Sequence, residues 1–414
     1  MASGLNLTSF DAALKEHYSD DRVEVMSYED NALFALTSKM EDFGGRGLPI
    51  PIVYGNPQAR SVNFATAQSR STVSSSQLKY WELKRVKDYS FATIDNETME
   101  ASKGDNNAFL EAATLEIDGS IHSLVRSIAT AQYRSGYGDI GQIGSISTTT
   151  ITLLDANSVT NFEVGMMLDL SATQSGALRS DGSSGNGLII TGIDRSAGVL
   201  TFGFNVTDST NGIPAAAAND YIFQSGDHVA STLTKIAGLE AWLPATAPTA
   251  GDSFFGMDRS ADASRLAGQR FNGVALPIEE VLTTANASVA REGGKLSHFF
   301  MNYAKYSALE NALGSKVQYV DVQMRPEISF RGIMVNGVRG PIRVIPDQNC
   351  PNNRIFGLQL DTFKVYSLGK AVRVIDTDGL QMLRQATSDG VEVRYGMYGN
   401  QGCRAPGYNI NIQV

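Results

Sequence analysis

The stretch that most restricts what this chain can fold into runs from Asn107 to Ser135, NAFLEAATLEIDGSIHSLVRSIATAQYRS. Ile117, Ile121, Leu124, Val125 and Ile128 recur three and four residues apart, which puts them on one apolar stripe of a helix. Asp105 or Asn106 can cap its start, and Gly136 supplies a left-handed stop. Glu111, Glu116 and Asp118 lie toward the N-terminal end and His122, Arg126 and Arg134 toward the other, the order a helix dipole favours. At about 1.5 Å per residue such a helix is roughly 40 Å long, and with one wet face it predicts a beam lying along a sheet. On this stretch alone, a surface helix of a large enzyme is the alternative.

The chain has 414 residues, enough for two or three units with sizeable cores. Apolar residues are 42% and charged ones 19%, which excludes disorder as the main state. No apolar run reaches the length of a membrane span. The start, MASGLNLTSFDAALKEHYSDD, lacks a basic n-region and an apolar core, so no secretory signal is expected and the chain is expected to stay in a cytoplasm. The two cysteines, Cys350 and Cys403, fit a reducing compartment, as two idle thiols in preference to a bridge.

Charge divides the chain. Net charge is −9. Between Tyr137 and Ala230, Arg179 and Arg195 stand against nine acidic residues (Asp139, Asp155, Glu163, Asp169, Asp181, Asp194, Asp208, Asp220 and Asp227), which leaves −7 there. Neither this segment nor the near-neutral remainder has the clustered Lys and Arg of a tight nucleic-acid binder.

In chain order, Met1 to Asp30 reads as a polar arm with a helical piece near Phe10 to Tyr18, and Asn31 to Met40 as a short amphipathic helix. Ile50, Ile52 and Tyr54 alternate in an extended segment that Pro49 and Pro51 restrict to an edge. Val62 and Phe64 open a second run, SRSTVSSS (69–76) forms a polar tip, and Leu78 and Tyr80, then Tyr89, Phe91 and Thr93, read as the return, with Lys79, Lys84, Arg85 and Lys87 along it. This predicts a long two-stranded arm without a core of its own, which must dock on something else. After Gly136, five short strand patterns separated by turns (148–154, 165–170, 188–194, 199–204 and 220–223) predict a small all-β insert, or else part of one larger sheet domain. Pro277 to Ala290 and Leu296 to Leu313 read as helices. Strands are expected at 333–335, 342–345, 354–360 and 365–367, a turn at Asp376–Gly379, and alternation at Val391, Val393, Tyr395 and from Tyr408 to Val414.

Chemistry is not legible. His17, His122, His228 and His298 lie in four different segments, none with a second His or Cys at ligand spacing. There is no phosphate loop and no nucleophile elbow; Gly182-Ser-Ser-Gly185 has the wrong spacing, and Gly44-Gly45-Arg46-Gly47 leads into a strand without joining it to a helix. Asp376-Thr-Asp378-Gly379 lacks the rest of a calcium loop, and no spacing in the acidic insert demands calcium. No catalytic, cofactor-binding or metal residue is assigned, and no enzyme is expected.

The ordered set of arm, hairpin, long helix, mixed second half and C-terminal strand resembles the major capsid proteins of tailed bacteriophages, the Hong Kong 97 fold. The resemblance implies an α+β chain divided into an N-terminal arm with a short helix (1–47), an extended E-loop (48–103), a peripheral domain with a spine helix (104–136), an inserted β domain (137–230), an axial domain (231–360) and a return to the peripheral domain (361–414). It reads Ser297–Tyr303 as a buried strand leading into an axial helix, and Arg343–Phe356 as a strand–loop–strand. The implied function is structural: self-assembly through hexamers and pentamers into an icosahedral shell around packaged double-stranded DNA held non-specifically. Portal, scaffolding and decoration proteins are the implied partners, with no membrane and no cofactor, in a virion assembled in the host cytoplasm. The arm is too short to be an internal scaffold. Some members cross-link Lys to Asn; Lys79, Lys84 and Lys87, and Asn349, Asn352 and Asn353, are present, but no motif carries that reaction over. An encapsulin-like compartment and a glycan-binding protein working through the insert are the alternatives.

Overall fold

The computed structural model describes residues 23, 25–28, 31–95, 106–183, 187–314, 319–325, 328–376, 382–385 and 389–414. Most of the arm at 1–30, including the helical piece expected near Phe10, and residues 377–379 of the expected turn lie outside this set.

Helix α1 (Ala32–Leu36) is shorter than the sequence suggests, because the chain turns extended at Thr37 and forms β1 (Ser38–Met40). β2 (Leu48–Gly55) and β3 (Gln77–Leu83) pair antiparallel as an isolated ribbon, with Pro49 opposite Glu82 and Pro51 opposite Tyr80. Helix α2 (Phe64–Ser71) joins them, its start capped by the Asn63 side chain accepting from the amides of Ala65 and Thr66. Val62 and Phe64 therefore lead into a helix and not a strand: an Asn cap outweighs two isolated apolar residues. β4 (Val86–Asp95), expected to return along the arm, instead pairs along its whole length with β22 (Gly390–Cys403). Tyr89, Phe91 and Thr93 alternate as anticipated, but in a different sheet. Alternation reports a two-faced strand and does not name its partner.

The long helix α3 spans Asn106–Tyr133. It ends where Gly136 takes φ +86°; a Cβ there would meet the Cα of Ala237 and the carbonyl of Ile236, each at 3.1 Å. Ile117, Ile121, Leu124, Val125 and Ile128 are buried against Ala92, Ile94, Val391, Val393 and Tyr395, so the helix is the beam along a sheet that its periodicity predicts.

Six strands follow: β5 (Asp139–Ser147), β6 (Thr150–Leu153), β7 (Met167–Ser171), β8 (Leu188–Asp194), β9 (Val199–Phe202) and β10 (Tyr221–Gln224). They close on themselves in the order β10-β5-β6-β9-β8-β7 around a separate core that includes Ile143, Leu168, Leu170, Ile190, Phe202 and Ile222. β5 is the strand that sequence patterning misses, because its Gly and Ser residues (DIGQIGSIS) lower its strand propensity. Phe223 pairs with Asp139, so the barrel begins and ends side by side.

The chain then forms α4 (Leu239–Trp242), the short pair β11 (Ser253–Phe254) and β12 (Met257–Asp258), α5 (Ala263–Ala267), β13 (Gln269–Asn272), α6 (Ile278–Arg291), β14 (His298–Met301) and α7 (Tyr303–Leu313). The 296–313 segment is thus a strand and then a helix. All four residues of β14 are buried, and a short run apolar on every side carries no period that separates helix from strand. The family resemblance, which implies a strand here, is the reading that fits. Asn302 caps α7 by accepting from the Ala304 amide. β15 (Tyr319–Arg325), absent from the sequence reading, pairs with β16 (Ile328–Gly337), and β17 (Gly340–Pro346), β18 (Arg354–Leu358) and β23 (Ile410–Gln413) complete a sheet ordered β13-β23-β18-β14-β17-β16-β15. α6 covers it through Val281, Leu282, Ala285 and Val289. The other sheet holds β19 (Phe363–Ser367), β20 (Arg373–Val374) and β21 (Met382–Arg384), each paired with β22, and β1 on β19. The chain is α+β; its described residues form two large sheets, a small β11–β12 pair, a beam, a barrel and an arm.

Candidate assembly surfaces

The ribbon of the arm is anchored along one face. Ile50, Ile52, Trp81 and Leu83 are buried at its root, where Trp81 meets Trp242 edge-on at 5.2 Å between centroids. The Trp242 indole N–H donates to the Gln401 carbonyl at 3.0 Å, the Glu82 amide donates to the Phe255 carbonyl at 3.1 Å, and Arg265 Nη1 donates to the Tyr54 carbonyl at 2.7 Å. On the ribbon's other face and in the tip the side chains face water. α2 has no buried residue, and Val62, Phe64, Val73, Leu78, Tyr80 and Val53 are all exposed, Phe64 at 83% and Val73 at 86%. Scattered exposed apolar residues are ordinary; six on one projecting ribbon and its tip are not. Among the described residues the ribbon also has no third strand.

A second open surface is the face of β4 and β22 turned away from α3. Lys87, Tyr89, Phe91 and Thr93 point outward on β4, beside Tyr398, Arg394 and Glu392 on β22. Tyr89 packs edge-on to Tyr398 at 5.7 Å, and the Arg373 guanidinium lies 5.1 Å from the Tyr398 ring centroid. Burial and the hydrogen bond with Tyr89 push the Tyr398 phenol up. Next to it, Arg85, Lys87, Arg373 and Tyr398 line an open groove of about 620 Å³ that also holds Asp376.

Inside the molecule, polar groups tie the parts together. Tyr133, at the end of α3, donates to Asp347 Oδ2 at 2.8 Å; the amides of Leu33 and Asn349 donate to the same carboxylate at 3.4 and 2.9 Å. Asp347 is buried, and that burial raises its carboxyl despite these donors. The barrel is joined to the body by Lys235, which meets Asp88 on β4 and Asp227 at the barrel's exit, each at 2.9 Å. Burial pulls the Lys235 ammonium down, and the two carboxylates together more than reverse it. Asp227 is nonetheless raised, because burial outweighs the pull of Lys235 and Asp88 and Asp169 stand nearby. On the other side Gln174, in the loop after β7, bridges Asp139 and Glu240, both contacts at 3.4 Å, while Ser135 donates to Asp139. Burial and then the charge of Asp139 raise Glu240. Glu163 holds Arg126 and Arg195, each at 2.8 Å, and Arg179 forks onto Asp220, so both arginines of the barrel are spent on its own acids.

The histidines do not converge. His122 is exposed on α3, His228 is buried at the barrel's exit, and His298 is buried in β14, lowered to about 4 by burial and then by Arg343; His17 lies outside the described residues. Cys350 and Cys403 are buried free thiols, and burial holds Cys403 up at about 12. Asn349 is committed to Asp347 and Asn31, both at 3.1 Å, and the Asn352 amide donates to Asp155 of the barrel at 3.1 Å; Lys79 lies 5.5 Å from the Tyr54 ring centroid. Among the described residues no group of three His, Cys, Asp or Glu side chains is placed to hold a metal. The junction network escaped sequence reasoning because its members come from five separate segments. The one signal for it was the pair of glycines, Gly136 and Gly138, beside Asp139.

No family profile matches the chain, and no curated protein does. Solved structures do. The chain is similar to the capsid asymmetric unit of cyanophage A-1(L), at 14% identity over 93% of this chain and 92% of that one, TM-score 0.47. It is similar to a structure from Mycobacterium phage Bobi, at 7% identity over 99% of each chain, TM-score 0.44. It is also similar to an encapsulin complex from Synechococcus elongatus PCC 7942, at 8% identity over 92% of this chain and 86% of that one, TM-score 0.42.

Proposed function

We propose that this chain is a structural shell protein of the tailed-phage type, built to cover its own exposed surfaces with further copies of itself. The observation that carries the reading is the arm. The outer face of the ribbon (Val53, Leu78, Tyr80) and a tip that buries nothing (Val62, Phe64, Val73) together leave six large apolar side chains in water. A two-stranded ribbon is marginal alone. Laid across the open β4–β22 face of a neighbour, it would bury those side chains against Tyr89, Phe91 and Tyr398, and the same contact repeated by rotation gives rings and then a closed shell.

In this reading hexamers and pentamers form an icosahedral capsid around double-stranded DNA, with portal, scaffolding and decoration proteins as partners and a virion as the final location. The segment 104–136 with 361–414 serves as the peripheral part and 231–360 as the axial part. The acidic insert, 137–230, faces outward, since its surplus charge is unfavourable beside packed phosphates. The role is non-enzymatic.

The test is negative-stain microscopy and mass photometry of the purified chain, with its scaffolding partner if one is required. Closed particles, or a ladder of pentamers and hexamers, are expected. Phe64→Asp with Val73→Asp should leave a folded small species, because both side chains are already exposed. Assembly that survives this pair would remove the arm from the mechanism. A nucleic-acid-free particle filled with protein would favour an encapsulin-like compartment.

A further inference from the structure

The connections into and out of the barrel meet at His228. The residue is 5% exposed, and both ring nitrogens face backbone carbonyl oxygens: Nδ1 lies 3.0 Å from the oxygen of Tyr137, and Nε2 lies 2.7 Å from the oxygen of Gly176. Tyr137 belongs to the incoming connection, Gly176 to the loop after β7, and His228 to the outgoing connection. A neutral imidazole has one N–H and one lone pair. It can donate to one of these carbonyls, and its lone pair then faces the other oxygen at hydrogen-bond distance, which is repulsive. Only the doubly protonated ring satisfies both.

We propose that His228 is a pH-sensitive latch on the inserted barrel. As imidazolium it ties the incoming connection, the outgoing connection and the barrel loop together. On losing one proton it releases one of the two carbonyls and loosens the junction between the two connections and the barrel loop. Aromatic and charged groups pack around the ring. The Phe223 ring of β10 packs on the imidazole at 4.2 Å between centroids. Asp227 is the preceding residue, itself shared with Lys235, which also holds Asp88. Asp169 of β7 accepts from the Gly226 amide at 3.2 Å. The Gly176 loop carries Gln174, bonded to Asp139 and Glu240, with Arg134 at 4.0 Å from Asp139. On the Tyr137 side Asp252 and Arg259 act on the phenol. The carboxylates outnumber the cations on these elements. Other ties stand beside the latch: the Thr234 and Lys235 amides donate to the Gly136 carbonyl at 3.0 and 3.1 Å, and the Ser231 amide donates to the Ser175 carbonyl at 2.9 Å, so the release is local to the Tyr137 and Gly176 contacts, where a Cβ on Gly138 would stand 2.9 Å from the Asp227 carbonyl oxygen.

The inference does not depend on whether the chain builds a shell. It is tested on the full chain labelled with ¹⁵N-histidine, over the range of about pH 5 to 8 in which histidines titrate. The four histidines give four pairs of ring-nitrogen signals, assigned by His17→Gln, His122→Gln and His298→Gln, so a foldable His228 variant is not required. His228 should pass from two protonated nitrogens to one. Over the same range, hydrogen exchange of amides at 136–140 and 226–236, corrected for intrinsic rates, should quicken by about five- to tenfold, the factor that one ordinary hydrogen bond carries. His228→Gln should abolish that step. A His228 ring that is neutral throughout, an exchange rate without a step, or a step that persists in His228→Gln would overturn the latch.

Discussion

Replacing Trp81 by Ala separates the root of the arm from the rest of the fold. Trp81 is fully buried among Trp242, Leu83, Ile50 and Ile52, with the two indoles edge-on at 5.2 Å. A Trp→Ala change in a packed core costs about 3–5 kcal/mol, from lost transfer energy and from the cavity left behind. The aromatic pair accounts for about 0.5–1.5 kcal/mol of that. One term runs the other way: the Trp81 indole N–H is buried without a hydrogen-bond partner, so Trp81→Phe keeps most of the packing while removing an orphaned donor. It should cost less than Trp81→Ala, about 1–3 kcal/mol, because the cavity left behind is smaller. Urea unfolding at low protein concentration measures both. The chain has two tryptophans, Trp81 and Trp242, neither within 137–230, so fluorescence reports the body and not the barrel, and Trp242 remains as reporter in either variant. In Trp81→Ala the arm loses its anchor, and particles should fail to form under conditions where the body is still folded. A cost below about 1 kcal/mol for Trp81→Ala, or equal costs for the two variants, would refute the argument.

Three further outcomes follow from the geometry. Gly238→Ala should prevent the body from packing correctly, because a Cβ there would run into the carbonyl oxygens of Ala131, Gln132 and Arg134 at the end of α3; loss of cooperative unfolding in the tryptophan signal is the readout. Asn302→Ala removes the cap of α7 and also the donor to the carbonyls of Cys350 and Gln348, at 2.9 and 3.3 Å, so a loss of about 2–3 kcal/mol is expected in urea melts. Glu240→Gln should stabilise the chain at neutral pH and lose that advantage in acid. Burial and Asp139 raise the folded-state carboxyl of Glu240, so its stabilising protonated form is complete below the unfolded value and is lost as pH rises through the folded one. Thermal melts of both chains at acid and neutral pH check the sign.

Much of the architecture could be read from residue spacing. The apolar stripe from Ile117 to Ile128 is long and one-sided, and a period of that length admits one structure; α3 runs Asn106–Tyr133 and lies along a sheet as expected. Four of the five strand patterns in the insert became β6, β8, β9 and β10 nearly in place, and the fifth became β7, because turn residues bound each of them. Misreadings fell where local pattern carries no partner information. Tyr89, Phe91 and Thr93 alternate equally well in a ribbon or in a sheet, and the choice was made by Val391, Val393 and Tyr395, some three hundred positions away. HFFM at 298–301 is buried on both faces, so nothing in its own composition distinguished strand from helix.

What the amino-acid order alone determined is therefore the set of local, periodic elements, the acidic character of 137–230 and the lack of a recognisable catalytic motif. Those properties depend on residues within a few turns of one another. Tertiary structure decided which strands pair, that the insert closes into a barrel, and that Asp139, Gln174 and Glu240, or Tyr137, Gly176 and His228, meet at its base. Such contacts join segments tens of residues apart. The free energy that selects them comes from burying a shared core and satisfying the polar groups trapped within it, and no short stretch of sequence contains both sides of that contact.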